Sequence, residues 1–230
     1  MARQARTSFP NHVHHLLVRG HNRELIAVDD DDRRLLMSHV VGAFKEHGVA
    51  LHAFVLMPNH LHLLATPGSA EGIGRSMQSM GRRYVAAFNA RHERTGTLWE
   101  GRYRAHMVGG DDHVLRCMRF IELNPNRVGL APGLLDYTWS SLAHHLGATR
   151  DSSITEPPAY WRLGNTPFER EAAYRQYLEA GIGGQEALEI LAALTSGRPW
   201  GNSAYLREVE KIAGHSLVAR PRGRPRKSAD

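Results

Sequence analysis

Met57-Pro58-Asn59-His60-Leu61-His62-Leu63-Leu64 decides how the rest of the chain is read. The apolar residues before Pro58 and after Asn59 have the character of two strands, with Pro58-Asn59 as the turn that joins them. Strand side chains alternate faces, so His60 and His62 share one face while Leu61 and Leu63 take the other. At ~3.3 Å per residue their Cα atoms lie roughly 6.6 Å apart, which lets both imidazoles reach one metal ion. Two surface histidines on a half-exposed strand would give the same pattern, so the spacing alone leaves both readings open.

Outward from this hairpin, the periodicity predicts a first strand over 12–19 and a helix opening at the aspartates Asp29 to Asp32. Leu36, Val40, Val41 and Phe44 form that helix's apolar stripe, and Gly48 suits its C-terminal end. A strand over 51–57 precedes the hairpin turn, and the His60 strand runs to residue 65. A second helix over 71–91 carries Ile73, Met77, Met80, Tyr84 and Phe88 at near-helical spacing, and a short strand covers 103–108. A third helix begins at Asp111-Asp112 and ends near Asn124, because Pro125 disfavours helix in the residue before it. The order strand, helix, strand, strand, helix, strand is the ferredoxin-like split βαβ pattern of an α+β fold. It predicts an antiparallel sheet with helices on one face and an open face for a ligand. Three regions follow: a domain over 1–146, a helical extension over 147–218 with helices within 168–194, and a basic tail over 219–230.

No apolar run approaches the ~18 residues a membrane span needs, and the basic, polar start lacks a secretory signal's apolar core. Cys117 is the single cysteine, which excludes an internal disulfide and fits a reducing, cytoplasmic setting. The formal charge is +6, and only Lys45, Lys211 and Lys227 are lysines among 29 basic side chains. The positive excess concentrates in 71–107 and 219–230, as expected for a polyanion partner. Arginine's planar fork grips phosphate and stacks on bases. Arg82, Arg83, Trp99 and Arg102 therefore stand as candidates for contacts to such a polyanion, cations beside an aromatic on which an unpaired base could stack. Trp99 could equally anchor the core, and the two adjacent arginines could line a solvated helix face. Arg222-Gly223-Arg224-Pro225 resembles an AT-hook core, suited to a narrow A·T minor groove. Removing 219–230 should weaken DNA binding and flatten its salt dependence; an unchanged salt slope would refute a role for the tail.

On a helical wheel for 113–124, Val114, Cys117, Met118 and Ile121 form the core stripe, while His113, Arg116, Phe120 and Asn124 gather on an adjacent, mostly polar face. Asn124 is one turn beyond Phe120, so a ligand held by Asn124 would lie near that ring. Phe120 could instead be an edge-of-core aromatic, and Asn124 a simple helix end.

Four ordered blocks resemble the REP-associated tyrosine transposases of the HUH superfamily of single-stranded-DNA nucleases. They are Met57-Pro58-Asn59-His60-Leu61-His62, Arg94-Thr-Gly-Thr-Leu-Trp-Glu-Gly-Arg102, Cys117-Met-Arg-Phe-Ile-Glu-Leu-Asn-Pro125 and Asp136-Tyr-Thr-Trp-Ser-Ser141. The tail Pro221-Arg-Gly-Arg-Pro-Arg-Lys227 is similar as well. The resemblance implies an HUH nuclease domain, with His60, His62 and Asn124 as metal ligands. Its substrate would be single-stranded hairpin DNA, and it would act as a nucleoid-associated monomer in a bacterial-type cytoplasm. The nucleophilic tyrosine of the family falls at Phe120, which has the same ring without the hydroxyl. The substitution is either natural or introduced to hold uncut DNA, or else Tyr84 or Tyr103 is the nucleophile.

In the family's chemistry the phosphotyrosine bond conserves the phosphodiester's energy, so no nucleotide cofactor is needed. Mg²⁺ or Mn²⁺ suits the implied ligands; zinc is disfavoured because no cysteine lies near the histidine pair in sequence. Ligation needs neutral imidazole, so metal affinity should fall as pH drops through about 6.5. The alternatives to a cleaving and rejoining enzyme are a non-catalytic hairpin-DNA-binding protein and a structural metal-binding domain.

Overall fold

A computed structural model describes residues 8–214 and 216; the tail arginines Arg222 and Arg224 lie outside the described residues. The predicted elements appear in order. After β1 (Val13–Arg19) comes α1 (Asp30–Glu46), whose cap Asp29 accepts the Asp32 backbone N–H at 3.0 Å. Aspartates in the first turn complement the positive end of the helix dipole. The helix ends at His47, and Gly48 takes the left-handed step at φ +63°. Next, β2 (Val49–Met57) and β3 (His60–Pro67) form the hairpin, with Met57 opposite His60 and Pro58-Asn59 at its tip. They are followed by α2 (Gly72–Arg91) and β4 (Arg104–Gly109). The sheet order is β2-β3-β1-β4, antiparallel throughout. A two-residue β5 (Trp200–Gly201), which has no signal in the sequence pattern, extends it in parallel beside β4.

One sheet face behaves as the sequence predicts. Leu16, Val18, Leu56, Leu61 and Leu63 pack there against Leu36, Val40 and Phe44 of α1 and Met77, Met80, Tyr84 and Phe88 of α2. Each such fully buried side chain contributes about 1.5–3 kcal/mol. Tyr84 is wholly buried and its hydroxyl donates to the Ile26 carbonyl, so it is a core residue rather than an alternative nucleophile.

The opposite face corrects the expectation of an open surface. Gly110 turns the chain at φ +85°, a conformation side-chain-bearing residues rarely adopt, and α3 (Asp111–Glu122) then lies back across the sheet. Val114, Cys117, Met118 and Ile121 pack there with Val55, Leu64 and Val108. The extension completes that core through Tyr160 of α6 (Pro158–Trp161), Tyr174 and Leu178 of α7 (Pro167–Glu179) and Ile190 of α8 (Gly184–Ser196). The face is covered because α3 alone is too narrow to bury a sheet whose strands are apolar on both sides. Past Glu122, Asn124 and Pro125 open the one-turn α4 (Asn124–Arg127). Proline fits the first turn of a helix, so the chain keeps coiling after the break. A one-turn α5 (Leu142–His145) and α9 (Ser203–Ala213) complete the helices among the described residues.

Candidate nucleic-acid and metal site

His60 and His62 lie on the α3 face of β3, with ring centroids 5.1 Å apart. Asn124, nearly buried at the start of α4, brings its side-chain amide nitrogen to 3.5 Å from His60 Nε2. The proton on His60 is assigned by its neighbours. Asn59 Nδ2 donates to the Arg23 carbonyl at 3.2 Å, so Asn59 Oδ1 faces His60 Nδ1, at 2.7 Å. An amide oxygen only accepts, so Nδ1 carries the hydrogen and Nε2 presents a lone pair. Ligands at right angles on an octahedral ion with ~2.1 Å bonds lie about 3 Å apart. The His60–Asn124 approach fits that span once the amide is turned to offer its oxygen. The donor set of two neutral imidazoles and one amide oxygen therefore suits an oxygen-tolerant divalent ion with open positions.

Behind this pair runs a buried row of histidines. His15 Nε2 is 2.8 Å from His62 Nδ1, and His15 Nδ1 is 3.0 Å from His106 Nε2. All three are at most 3% exposed. The row exists because β1 sits between β3 and β4, with His15 opposite His106 and Leu17 opposite His62. The fold also brings Cys117 to this row: donor atoms of His15, His106 and Cys117 lie within 4.8 Å of one another. Cys117 thus approaches the far end of the row, at His15 and His106, rather than the His60–His62 pair. Both ring nitrogens of His15 are already engaged by histidines, however, and burial pushes the Cys117 thiol up, so it stays protonated.

Burial is the main reason these imidazoles stay neutral. His60 is lowered to about 4, by burial and then by the Arg19 charge. His62 falls well below 6.5 through burial, then His60, Arg127 and Arg19. His15 and His106 are also held well below their ordinary value by burial. Burial and the Arg19 charge therefore move the pH at which protons would compete for His60 below the 6.5 expected of a free imidazole.

Phe120 occupies the α3 position facing this row. Its ring centroid is 5.8 Å from that of His62 and 5.9 Å from that of His15, and it is only 1% exposed. The Arg127 guanidinium carbon lies over the ring at 4.5 Å. The expected polar face of α3 therefore divides. Phe120 and Asn124 join the histidines, whereas His113 packs on Trp200 at 4.6 Å and Arg116 pairs with Asp112 at 2.9 Å. They part because the extension and β5 claim the outer half of that face.

Arg82, Trp99 and Arg102 come together on one groove of about 760 Å³, walled by Val18, Met77, Met80, Val85 and Tyr103. Trp99 lies over Gly81, where an added Cβ would be 3.5 Å from its indole nitrogen. That nitrogen is buried without a hydrogen-bond partner among the described residues, while the ring also packs on the α2 core. Arg83 instead pairs with Glu46 at 3.1 Å. Arg102, which lines this groove, also lines a small cleft with Arg19 and Glu100 at the end of β1. Glu100 donates its backbone N–H to the Arg19 carbonyl at 2.9 Å, and Arg19 is the cross-strand partner of His60. Arg19, Arg127, His15 and His106 carry no distinguishing sequence signal beyond their residue type.

A family model described as Transposase IS200 like matches residues 8–124. Among solved structures the chain is similar to a REP-associated tyrosine transposase bound to a REP hairpin. They share 14% identity at a TM-score of 0.56, covering 69% of this chain and 93% of that one. A putative transposase from Deinococcus radiodurans R1 shares 22% identity over 49% of this chain and 89% of that one, at a TM-score of 0.37. No curated protein matches the chain.

Proposed function

This chain belongs to the IS200-like transposase family, and from that premise we propose that it binds single-stranded hairpin DNA and holds a scissile phosphate without cutting it. The observation that carries the reading is the convergence of His60 and His62 of β3, the Phe120 ring of α3 and Asn124 of α4. The hairpin substrate is supported by the structural likeness to a transposase bound to a REP hairpin. His60, His62 and Asn124 would hold Mg²⁺ or Mn²⁺, which supplies Lewis-acid polarisation of a phosphate oxygen. Arg19 and Arg127 border the site and offer charge to the backbone, and Arg127 does so from directly above the Phe120 ring. Arg82 and Arg102 would grip the strand on either side of Trp99, where an unpaired base can stack for about 1–3 kcal/mol. Arg222 and Arg224 would add further contacts.

Residue 120 separates holding from cutting. A deprotonated tyrosine hydroxyl there would attack phosphorus and expel the 3′-oxygen, leaving a 5′-phosphotyrosine and a free 3′-OH. The phenyl ring has no atom that can do this. Incubating the chain and its Phe120→Tyr variant with a labelled single-stranded hairpin and Mn²⁺ tests the reading on a denaturing gel. The variant should form a covalent band and the unaltered chain should bind without one. A metal-dependent adduct with Phe120 in place would move the nucleophile elsewhere. Failure of both forms to bind a hairpin would remove the substrate assignment.

A further inference from the structure

We infer that His15 is a positioning residue: through its hydrogen bond to His62, and with His106 behind it, it sets which ring nitrogen of His62 is free to ligate an ion. This rests on the ion-site reading above and concerns residues that reading leaves unused. His106, His15 and His62 form two hydrogen bonds in series, 3.0 and 2.8 Å long, sealed from water. A neutral imidazole has one N–H and one lone pair, so each ring that donates on one side accepts on the other. His15 is bonded at both nitrogens and therefore transmits one direction along the whole row.

Only two proton orders satisfy both bonds. In the first, every hydrogen is on Nδ1: His62 donates to His15, His15 donates to His106, and His62 Nε2 presents a lone pair. In the second, every hydrogen is on Nε2: His106 donates to His15, His15 donates to His62, and His62 Nε2–H cannot ligate. Passing from the second to the first releases one proton at His62 Nε2 and takes one up at His106 Nδ1. The row does not fix the choice by itself: among the described residues His106 Nδ1 is buried with no hydrogen bond of normal geometry, and the Met107 backbone is a polar group acting on that ring. It is an orphan donor in the first order and an orphan acceptor in the second, so either order leaves one buried polar atom without a well-formed bond. His60 has no such freedom, since Asn59 Oδ1 fixes its hydrogen on Nδ1. The site thus pairs one preset ligand, His60, with one whose readiness depends on a residue on the neighbouring strand.

The test uses the full chain, labelled with ¹⁵N at histidine, and reads the His62 tautomer by long-range ¹H–¹⁵N spectra with and without Mg²⁺. Saturating Mg²⁺ should give the Nδ1–H form of His62. Mn²⁺ affinity, measured by paramagnetic relaxation, should fall about 10- to 100-fold in His15→Phe, the usual cost of losing a residue that orients a metal-bound histidine. His15→Gln, whose amide can still accept from His62, should recover most of that loss. Should His15→Phe fail to fold, the tautomer in the unaltered chain still decides. An Nε2–H form at saturation, or equal Mn²⁺ affinity in His15→Phe, overturns the inference. His60→Ala distinguishes the two levels. If it leaves Mn²⁺ binding intact, the ion site itself is misassigned and the inference falls with it. If His60→Ala abolishes binding while His15→Phe does not, only the inference falls.

Discussion

Arg127 stands three residues past Asn124, with its guanidinium over the Phe120 ring and its outer side exposed. A charge in that position serves a phosphate, so Arg127→Ala should weaken hairpin binding about tenfold at moderate salt and lower the salt slope by about 1. Fluorescence anisotropy across a salt series measures both, and an unchanged slope would take Arg127 off the phosphate path. Its place was not legible in the sequence, because nothing local separates it from the chain's many other arginines. His15 and His106 were hidden for a related reason. Each reads as an isolated histidine on its own strand until β1 pairs with both β3 and β4. Local rules show only that His60 and His62 share a face and that Asn124 follows Phe120 by one turn; that the three would meet was implied by the family resemblance alone.

At the scale of elements, Glu122 decides where α3 sits. This carboxylate is 1% exposed and accepts hydrogen bonds from Ser141 Oγ, from His145 Nδ1 at 2.6 Å and from Tyr174 Oη at 2.7 Å. Ser141 Oγ also accepts the Phe54 backbone N–H at 2.9 Å, tying β2, α3, α5 and α7 to one point. Two of the motif blocks thus meet through Glu122 and Ser141, two residues that their sequences do not link. Glu122→Ala strands three buried polar groups and should cost about 3–5 kcal/mol in chemical denaturation, whereas Glu122→Gln keeps an acceptor and should cost about 1–3 kcal/mol. A loss below about 0.5 kcal/mol in the alanine variant would mean that packing, not this network, seats the helix. The extension's helices were predicted as helices but not as sheet cover, since the amphipathic pattern of a helix does not name its partner.

For the whole molecule, the buried histidines make stability depend on pH. His14 and His60 are lowered to about 4, and His15, His62 and His106 lie well below 6.5, in each case chiefly through burial. An unfolded histidine takes a proton near pH 6.5 while the folded one resists, so this stability is fully present above about 6.5. It is lost as pH falls from there toward 4, by about 1.4 kcal/mol for each tenfold by which folding weakens a histidine's hold on its proton. Thermal melts from pH 7.5 to 4 should therefore drop steeply below 6.5, with proton uptake on unfolding seen by calorimetry; a flat profile would mean the row is hydrated. By itself the sequence determined the strand and helix order, the sharing of one face by His60 and His62, and the missing hydroxyl at residue 120, because periodicity and side-chain chemistry are properties of a local segment. Only the tertiary structure decided that the second sheet face is covered, that Cys117 approaches the histidines, and that His62 is tied through His15 to His106. Those facts depend on which strands become neighbours, and burial then changes the charge state of groups that a sequence presents in water.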